Sequence, residues 1–128
     1  MVYKLSENYI DIIFWKGVLP LVYVLVGMFI LMDMVTGLVK AFKEKNYTSS
    51  IMREGLFHKA GAVLVVVFAT LVDYAQMFME LGVTVPMTAA VCGYIVLMEI
   101  GSIIENICAI NPDILPDKLK CYFKKLSE

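Results

Sequence analysis

Histidine, tryptophan and cysteine are scarce in this chain, which has one histidine, one tryptophan and three cysteines among 128 residues. The cysteines, Cys92, Cys108 and Cys121, show no CxxC spacing, so neither a disulfide nor a zinc site is predicted. A Ser, His and Asp set, a metal-ligand spacing and a glycine-rich phosphate loop are also missing. We therefore expect no enzymatic activity, no metal and no cofactor. His58 is interpreted as a residue at a membrane boundary.

Charged residues are few as well, at 18% of the chain against 60% hydrophobic residues, with a mean hydropathy of +0.78. Such a chain is too apolar for an ordinary soluble domain and too short for more than one domain. Three apolar stretches approach the length of roughly 20 residues that crosses a bilayer as a helix. They run from Gly17 to Val39, from Ala60 to Met79 and from Val83 to about Ile104. The composition thus predicts an all-α membrane protein with three transmembrane helices.

The basic residues predict an orientation for these helices. Two of them precede the first span, five lie between the first and second, none lies between the second and third, and four follow the third. Because basic residues are retained on the cytoplasmic side, we expect the amino terminus outside and the carboxyl terminus inside. The first span should remain in the membrane, since no basic region followed directly by an apolar run and a small-residue cleavage site precedes it.

Three segments are predicted along the chain. Residues 1–16 suit either a short helix lying in the membrane interface or a loosely ordered tail anchored by Trp15. Residues 17–110 form the three-helix transmembrane domain. Residues 111–128 form a basic cytoplasmic tail that would lie against anionic lipid headgroups.

Two connections are predicted within the transmembrane domain. The charged stretch 40–59 is interpreted as a cytoplasmic hairpin loop, with Ser50 as the cap of the next helix. The stretch 82–85 is short and uncharged, which predicts that the second and third spans are antiparallel neighbours.

Each span carries an acidic residue about two thirds of the way along: Asp33, Asp73 and Glu99. A charge at such depth costs roughly 2.5–3.5 kcal/mol on insertion scales, so it must face protein or water or take up a proton. Asp33 and Glu99 each lie thirteen residues after a proline that begins a helix, Pro20 and Pro86. Since both helices run in the same direction, these two carboxyl groups are predicted at the same depth in the inner third of the bilayer. The helix of Asp73 runs the other way, which places Asp73 in the outer third.

Polar and small residues share a helical face with each acidic residue, at spacings of three, four or seven. They are Thr36, Gly37 and Lys40 on the first span, Gln76 and Glu80 on the second, and Ser102, Glu105 and Asn106 on the third. We interpret these stripes as gating or oligomer contacts. Asp33 and Lys40 are two turns apart, too far for an ideal contact, so a partner for Asp33 is expected from another helix. The alternative is that Asp73, Glu99 and also Asp33 belong to span ends that reach an interface.

A stripe of small residues also follows the third span, where Ala89, Gly93 and Gly101 fall at multiples of four. Such a surface lets two membrane helices approach closely. These three residues are predicted to pack against another helix.

The order and spacing of these motifs resemble a known family. The motifs are Asp33-Met-Val-Thr36-Gly37-Leu-Val-Lys40-Ala41, then Ser50, Gly55-Leu56 and Lys59, then Asp73, and finally Glu99-Ile-Gly-Ser102-Ile103-Ile-Glu105-Asn106. Across Leu31 to Pro116 they are similar to the phage holin family that includes the toxin-secretion holins of clostridia.

That resemblance implies a protein that accumulates in the bacterial inner membrane, self-associates and opens lesions at a set time. Its partners would be the lipid bilayer, further copies of itself and, without a need for direct contact, an endolysin or a secreted toxin; nucleic acid is not expected. One alternative is a small proton-coupled transporter in which Asp33 or Glu99 binds substrate and proton in turn. Another is an accessory subunit of a larger membrane complex.

The predicted orientation can be tested by labelling introduced cysteines in intact cells. A cysteine replacing Tyr3 should react with a membrane-impermeant thiol reagent added outside, whereas a cysteine replacing Ser49 should not, because the basic residues hold that segment in the cytoplasm. Labelling of Ser49→Cys but not Tyr3→Cys would show the opposite orientation.

Overall fold

Three long helices make up the described part of the chain, residues 19–82 and 85–119 of a computed structural model. They are α1 (Leu19–Glu44), α2 (Ser49–Phe78) and α3 (Met87–Ile110). Each is long and apolar enough to cross a membrane. The predicted all-α architecture with three membrane-spanning helices is thus confirmed for these residues. The predicted interfacial segment 1–16 and the end of the basic tail lie outside the described residues.

The helices extend further than the apolar stretches, and the predicted hairpin loop over residues 40–59 is wrong. α1 continues past Val39 to Glu44, and α2 already begins at Ser49. The reason is that lysine, arginine and glutamate are good helix formers. Charged residues therefore indicate where a helix leaves the apolar part of the membrane, and not where the helix ends. Ser50 is not the cap either, because the cap position is Thr48, which makes no side-chain capping hydrogen bond.

The turn between α1 and α2 is short and well defined. The N–H of Asn46 donates to the carbonyl of Ala41 at 3.1 Å, and the N–H of Lys45 donates to the carbonyl of Phe42 at 3.4 Å. With Lys45 at a φ of 53°, this is the Schellman arrangement that ends many helices, here with lysine where glycine is usual. Residues 45–48 therefore reverse the chain and make α1 and α2 antiparallel.

The helices pack unequally. α1 lies along α3 over the longest contact, and α2 packs against α3 less extensively. One small apolar cluster joins all three helices, formed by Val26, Ile30, Val66, Cys92 and Ile95. Most large apolar side chains on the three helices are instead exposed on the outside of the bundle. In a bilayer this surface faces lipid, so few apolar contacts hold the helices to one another.

Both ends of α3 are bound by side chains from the other helices. At its start, the Asp73 carboxylate of α2 accepts hydrogen bonds of 2.8 Å from the backbone N–H groups of Met87 and Thr88. At its end, Lys43 of α1 donates to the last two carbonyl groups of α3 at 3.0 and 2.6 Å. A helix end has backbone groups without partners in its own helix, and its dipole favours an anion at the start and a cation at the end. α3 is therefore fixed in position by α1 and α2.

We predict that Asp73→Ala destabilises the bundle by about 1–2 kcal/mol, because it leaves the first N–H groups of α3 without acceptors. Asp73→Asn should cost less, since it keeps one acceptor oxygen. Unfolding in mixed detergent micelles would measure both. Glu80→Ala is the matched control, an exposed acid near the same end of α2, and should change stability by less than about 0.5 kcal/mol. Equal losses for Asp73→Ala and Glu80→Ala would contradict a capping role.

Candidate functional site

One lysine side chain binds both Asp33 and Glu99, the two carboxyl groups predicted at the same depth in the bilayer. This contact joins the three helices. The Lys59 Nζ atom of α2 lies 2.5 Å from Oδ2 of Asp33 in α1 and 2.5 Å from Oε2 of Glu99 in α3. An ammonium group has three N–H donors, so it binds both carboxylates at once. We call Asp33, Thr36, Lys59, Glu99 and Asn106 the Lys59 cluster.

The remaining members of the Lys59 cluster fix Asp33 in place. The Nδ2 group of Asn106 donates to Oδ1 of Asp33 at 3.2 Å and to Oγ1 of Thr36 at 3.1 Å. The Thr36 hydroxyl in turn donates to the Asp33 carbonyl at 3.1 Å. A Cβ atom at Gly37 would lie 3.6 Å from the same Nδ2 atom. The close approach of α1 to α3 at Gly37 thus allows the side chain of Asn106 to reach Asp33.

The charges of the Lys59 cluster lie inside the bundle. Asp33 is 8% exposed and Glu99 is 4% exposed, so neither side chain extends to the surface as a residue at a span end would. Two carboxylates and one ammonium leave a formal charge of −1. Moving such groups out of water costs several kcal/mol per ion, which close pairing and hydrogen bonds offset only in good geometry. The cluster is therefore stable only while the three helices keep their positions.

A second polar layer surrounds Asp73 and consists of hydroxyl and amide groups. The Tyr23 hydroxyl of α1 lies 2.5 Å from Oγ1 of Thr70 in α2, which also accepts a hydrogen bond of 3.4 Å from Thr88 in α3. Gln76 donates to Asp73 at 3.4 Å. We call these five residues the Asp73 cluster. It also joins all three helices, although Asp73 is its one charged member.

Gln76 additionally holds the connection between α2 and α3. Its side-chain amide donates to the carbonyl of Val85 and accepts from the N–H of Val85, both at 3.0 Å. Gly82, with a φ of 73°, makes the turn in a conformation that glycine adopts without strain. Val85, just before the start of α3, is therefore held against the end of α2.

Other residues predicted for the polar stripes are not brought into either cluster. Lys40 and Ser102 are half-buried and Glu105 is exposed. Within residues 19–82 and 85–119, their side chains make no hydrogen bond or ion pair with the rest of the chain. Their proposed role in contacts between copies stays a prediction.

The small-residue stripe of α3 lies mostly outside the bundle. Ala89 and Gly93 are exposed and Gly101 is half-buried. No other part of the described chain lies within 4 Å of a Cβ atom built on Gly93. Close packing at this stripe thus remains a prediction, and it would involve a helix from another copy.

The contacts of Lys59 and Lys43 are not predicted from the sequence, because both residues fall in the charged stretch that is interpreted as a loop. One signal for Lys59 was available, because Lys59 precedes Val66, Ala69 and Asp73 by seven, ten and fourteen residues. These spacings place all four residues on one helical face, and the last three are the buried residues of α2. A helix extended back through the charged stretch would have directed Lys59 toward the other spans.

We predict that Lys59→Met destabilises the bundle by about 3–5 kcal/mol, since it leaves two buried carboxylates without a cation. The double variant Lys59→Met/Glu99→Gln should recover part of that loss, because one uncompensated charge is removed. Detergent unfolding would measure both. Arg53→Met is the matched control, an exposed basic residue on the same helix. Strictly additive losses for Lys59→Met and Glu99→Gln would contradict direct coupling of the two side chains.

The family model described as the bacteriophage holin family matches residues 12–128, nearly the whole chain. No curated protein and no solved structure matches. This is a family of membrane-permeabilising proteins rather than of enzymes. The chain therefore belongs to the bacteriophage holin family and is a multi-pass protein of the bacterial inner membrane.

Proposed function

We propose that this chain self-associates in the inner membrane and opens lesions through which an endolysin, or a toxin, leaves the cell. In its resting form the amino terminus lies outside and the carboxyl terminus inside. The lesions form when accumulated copies rearrange, so the chain itself needs no catalytic group. This function rests on the family match and on one feature of the site.

That feature is a charged cluster buried within a bundle whose outside is apolar. Lys59, Asp33 and Glu99 satisfy one another as long as the three helices stay together. If the helices separate in lipid, each charge loses its partner and meets hydrocarbon, which is very costly. If they separate beside a water-filled space, water solvates all three groups. Helix separation is therefore tied to the entry of water, as the opening of a lesion requires.

Self-association is supported by small residues on the outside of α3, and not by the exposed apolar surface as such. Large apolar side chains are exposed along all three helices, and lipid tails cover them as well as another helix would. Helices in a membrane associate through close packing and polar contacts rather than through a hydrophobic driving force. The exposed small residues Ala89 and Gly93 offer such packing to a second copy.

The proton-coupled transporter is less well supported by the same geometry. Such a transporter needs an acidic residue that is free to bind proton and substrate in turn. Both Asp33 and Glu99 are bound to Lys59, and Asp33 is bound to Asn106 as well. A lesion-forming protein has no such requirement.

The proposal can be tested by inducing this chain in a bacterium together with a cytoplasmic peptidoglycan hydrolase that has no secretion signal. We expect growth to stop abruptly after a delay and culture turbidity to collapse as the hydrolase reaches the cell wall. The hydrolase alone should leave turbidity unchanged. Turbidity and hydrolase in the medium would be measured over time.

A catalytically inactive hydrolase provides the matched control, because it separates the lesion from digestion of the wall. With this hydrolase, the folded enzyme should still cross the inner membrane while the wall stays intact. Continued growth at high membrane levels of the chain would refute the proposed function. Death without escape of any folded protein would refute it as well.

A further inference from the structure

Among the three helices, α2 contributes least to the interior of the bundle. It buries three residues, whereas α1 buries four and α3 buries five. From Ser49 to His58 every residue of α2 is exposed. Its attachment therefore depends on a few contacts in its middle and at its far end.

Open grooves flank α2 on both sides. The groove between α1 and α2 holds about 400 Å³ and is lined by residues such as Gly27, Val63 and Leu71. The groove between α2 and α3 holds about 500 Å³, with Gly61 and Ala90 among its lining residues. α2 is thus held mainly by polar contacts: the two bonds of Lys59, the hydroxyl contacts of Thr70 and the capping bonds of Asp73.

The pair of α1 and α3 is joined in a different way. The two helices pack along each other over the longest contact in the bundle. Asn106 joins α3 to the backbone and side chains of α1, and Lys43 joins α1 to the last carbonyl groups of α3. These contacts do not involve α2, so they persist if α2 moves away.

We propose that opening separates α2 from the pair of α1 and α3, which stay together. This inference builds on the proposed lesion-forming function and names the helix that moves. The turn of residues 45–48 keeps α2 beside α1 at that end, because four extended residues span at most roughly 13–14 Å, little more than the diameter of about 10–12 Å of a helix with its side chains. α2 therefore tilts away from its Lys59 and Asp73 contacts while its turn end stays close to α1. Separation removes Lys59 from both carboxylates and turns Asp33 and Glu99 toward the water-filled space.

A reversible disulfide cross-link between α2 and α3, which we call the lock, tests this separation. Oγ1 of Thr70 lies 3.4 Å from Oγ1 of Thr88, so cysteines at both positions lie within reach of a disulfide after small side-chain rotations. The variant Thr70→Cys/Thr88→Cys is made in a chain whose Cys92, Cys108 and Cys121 are alanine. A membrane-permeant oxidant closes the lock, and a reductant opens it.

The oxidised variant should accumulate in the membrane without releasing the co-expressed hydrolase, and addition of reductant should start release within minutes. Release at the same time from the fully oxidised and the reduced variant would overturn the inference. In that result the proposed function stands, because hydrolase is still released. If the unlocked chain and the wild type both fail to release hydrolase, the proposed function itself fails.

The accessibility of Cys92 is a second measurement, which needs no disulfide between α2 and α3. It tests the inference also if the disulfide does not form or if reductant does not restore release. Cys92 of α3 is 1% exposed and packs in the apolar cluster beside Val66 of α2. With Cys108 and Cys121 replaced by alanine, Cys92 should resist a membrane-impermeant maleimide before lysis begins. It should become labelled as hydrolase escapes. Hydrolase release with Cys92 still unlabelled would overturn the inference.

Discussion

The binding of two carboxylates to one ammonium group sets the relative positions of the three helices. In a membrane, apolar surfaces do not select a register, because lipid tails are as apolar as the side chains that face them. Charged groups do select one, since Lys59, Asp33 and Glu99 meet in a single alignment. A shift of any helix by one turn, about 5.4 Å, would leave at least one charge without its partner. The apolar cluster and the grooves beside α2 follow from that alignment.

The interior of the bundle contains two polar layers, the Lys59 cluster and the Asp73 cluster, which are separated by a layer without charged side chains. Lys59 and Asp73 are fourteen residues apart on α2, which corresponds to about 21 Å along the helix. Between these layers, residues 19–32, 60–72 and 87–98 contain no charged side chain. The apolar cluster around Val66 and Cys92 lies in this uncharged layer. The bundle is therefore held at two levels by directional bonds, and between them by a small number of apolar contacts.

Counting residues along the helices was enough to predict part of this arrangement. Asp33 and Glu99 were expected at one depth because each follows a helix-starting proline by the same interval, and the structure places both on one ammonium group. The role of Lys59 is not predicted, because the charged residues suggest that the helix ends before them, although lysine, arginine and glutamate are good helix formers. The contact of Lys43 in α1 with the end of α3 cannot be predicted by counting residues along one helix. That contact joins residues 66 and 67 positions apart and follows only once α1 and α3 are known to pair.

The apolar and the charged contacts of the bundle respond differently when their surroundings change. Exposed apolar side chains on the three helices have nearly the same free energy against lipid or against another copy, so copies exchange neighbours at little cost. The Lys59 cluster is different, because its partners are replaceable by water but not by lipid. If copies associate as we propose, the apolar contacts can therefore change gradually, while the charged contacts change only where water has entered. The lesion-forming function that we propose would use this difference, since a first water-filled space would allow the Lys59 clusters of adjacent copies to open together.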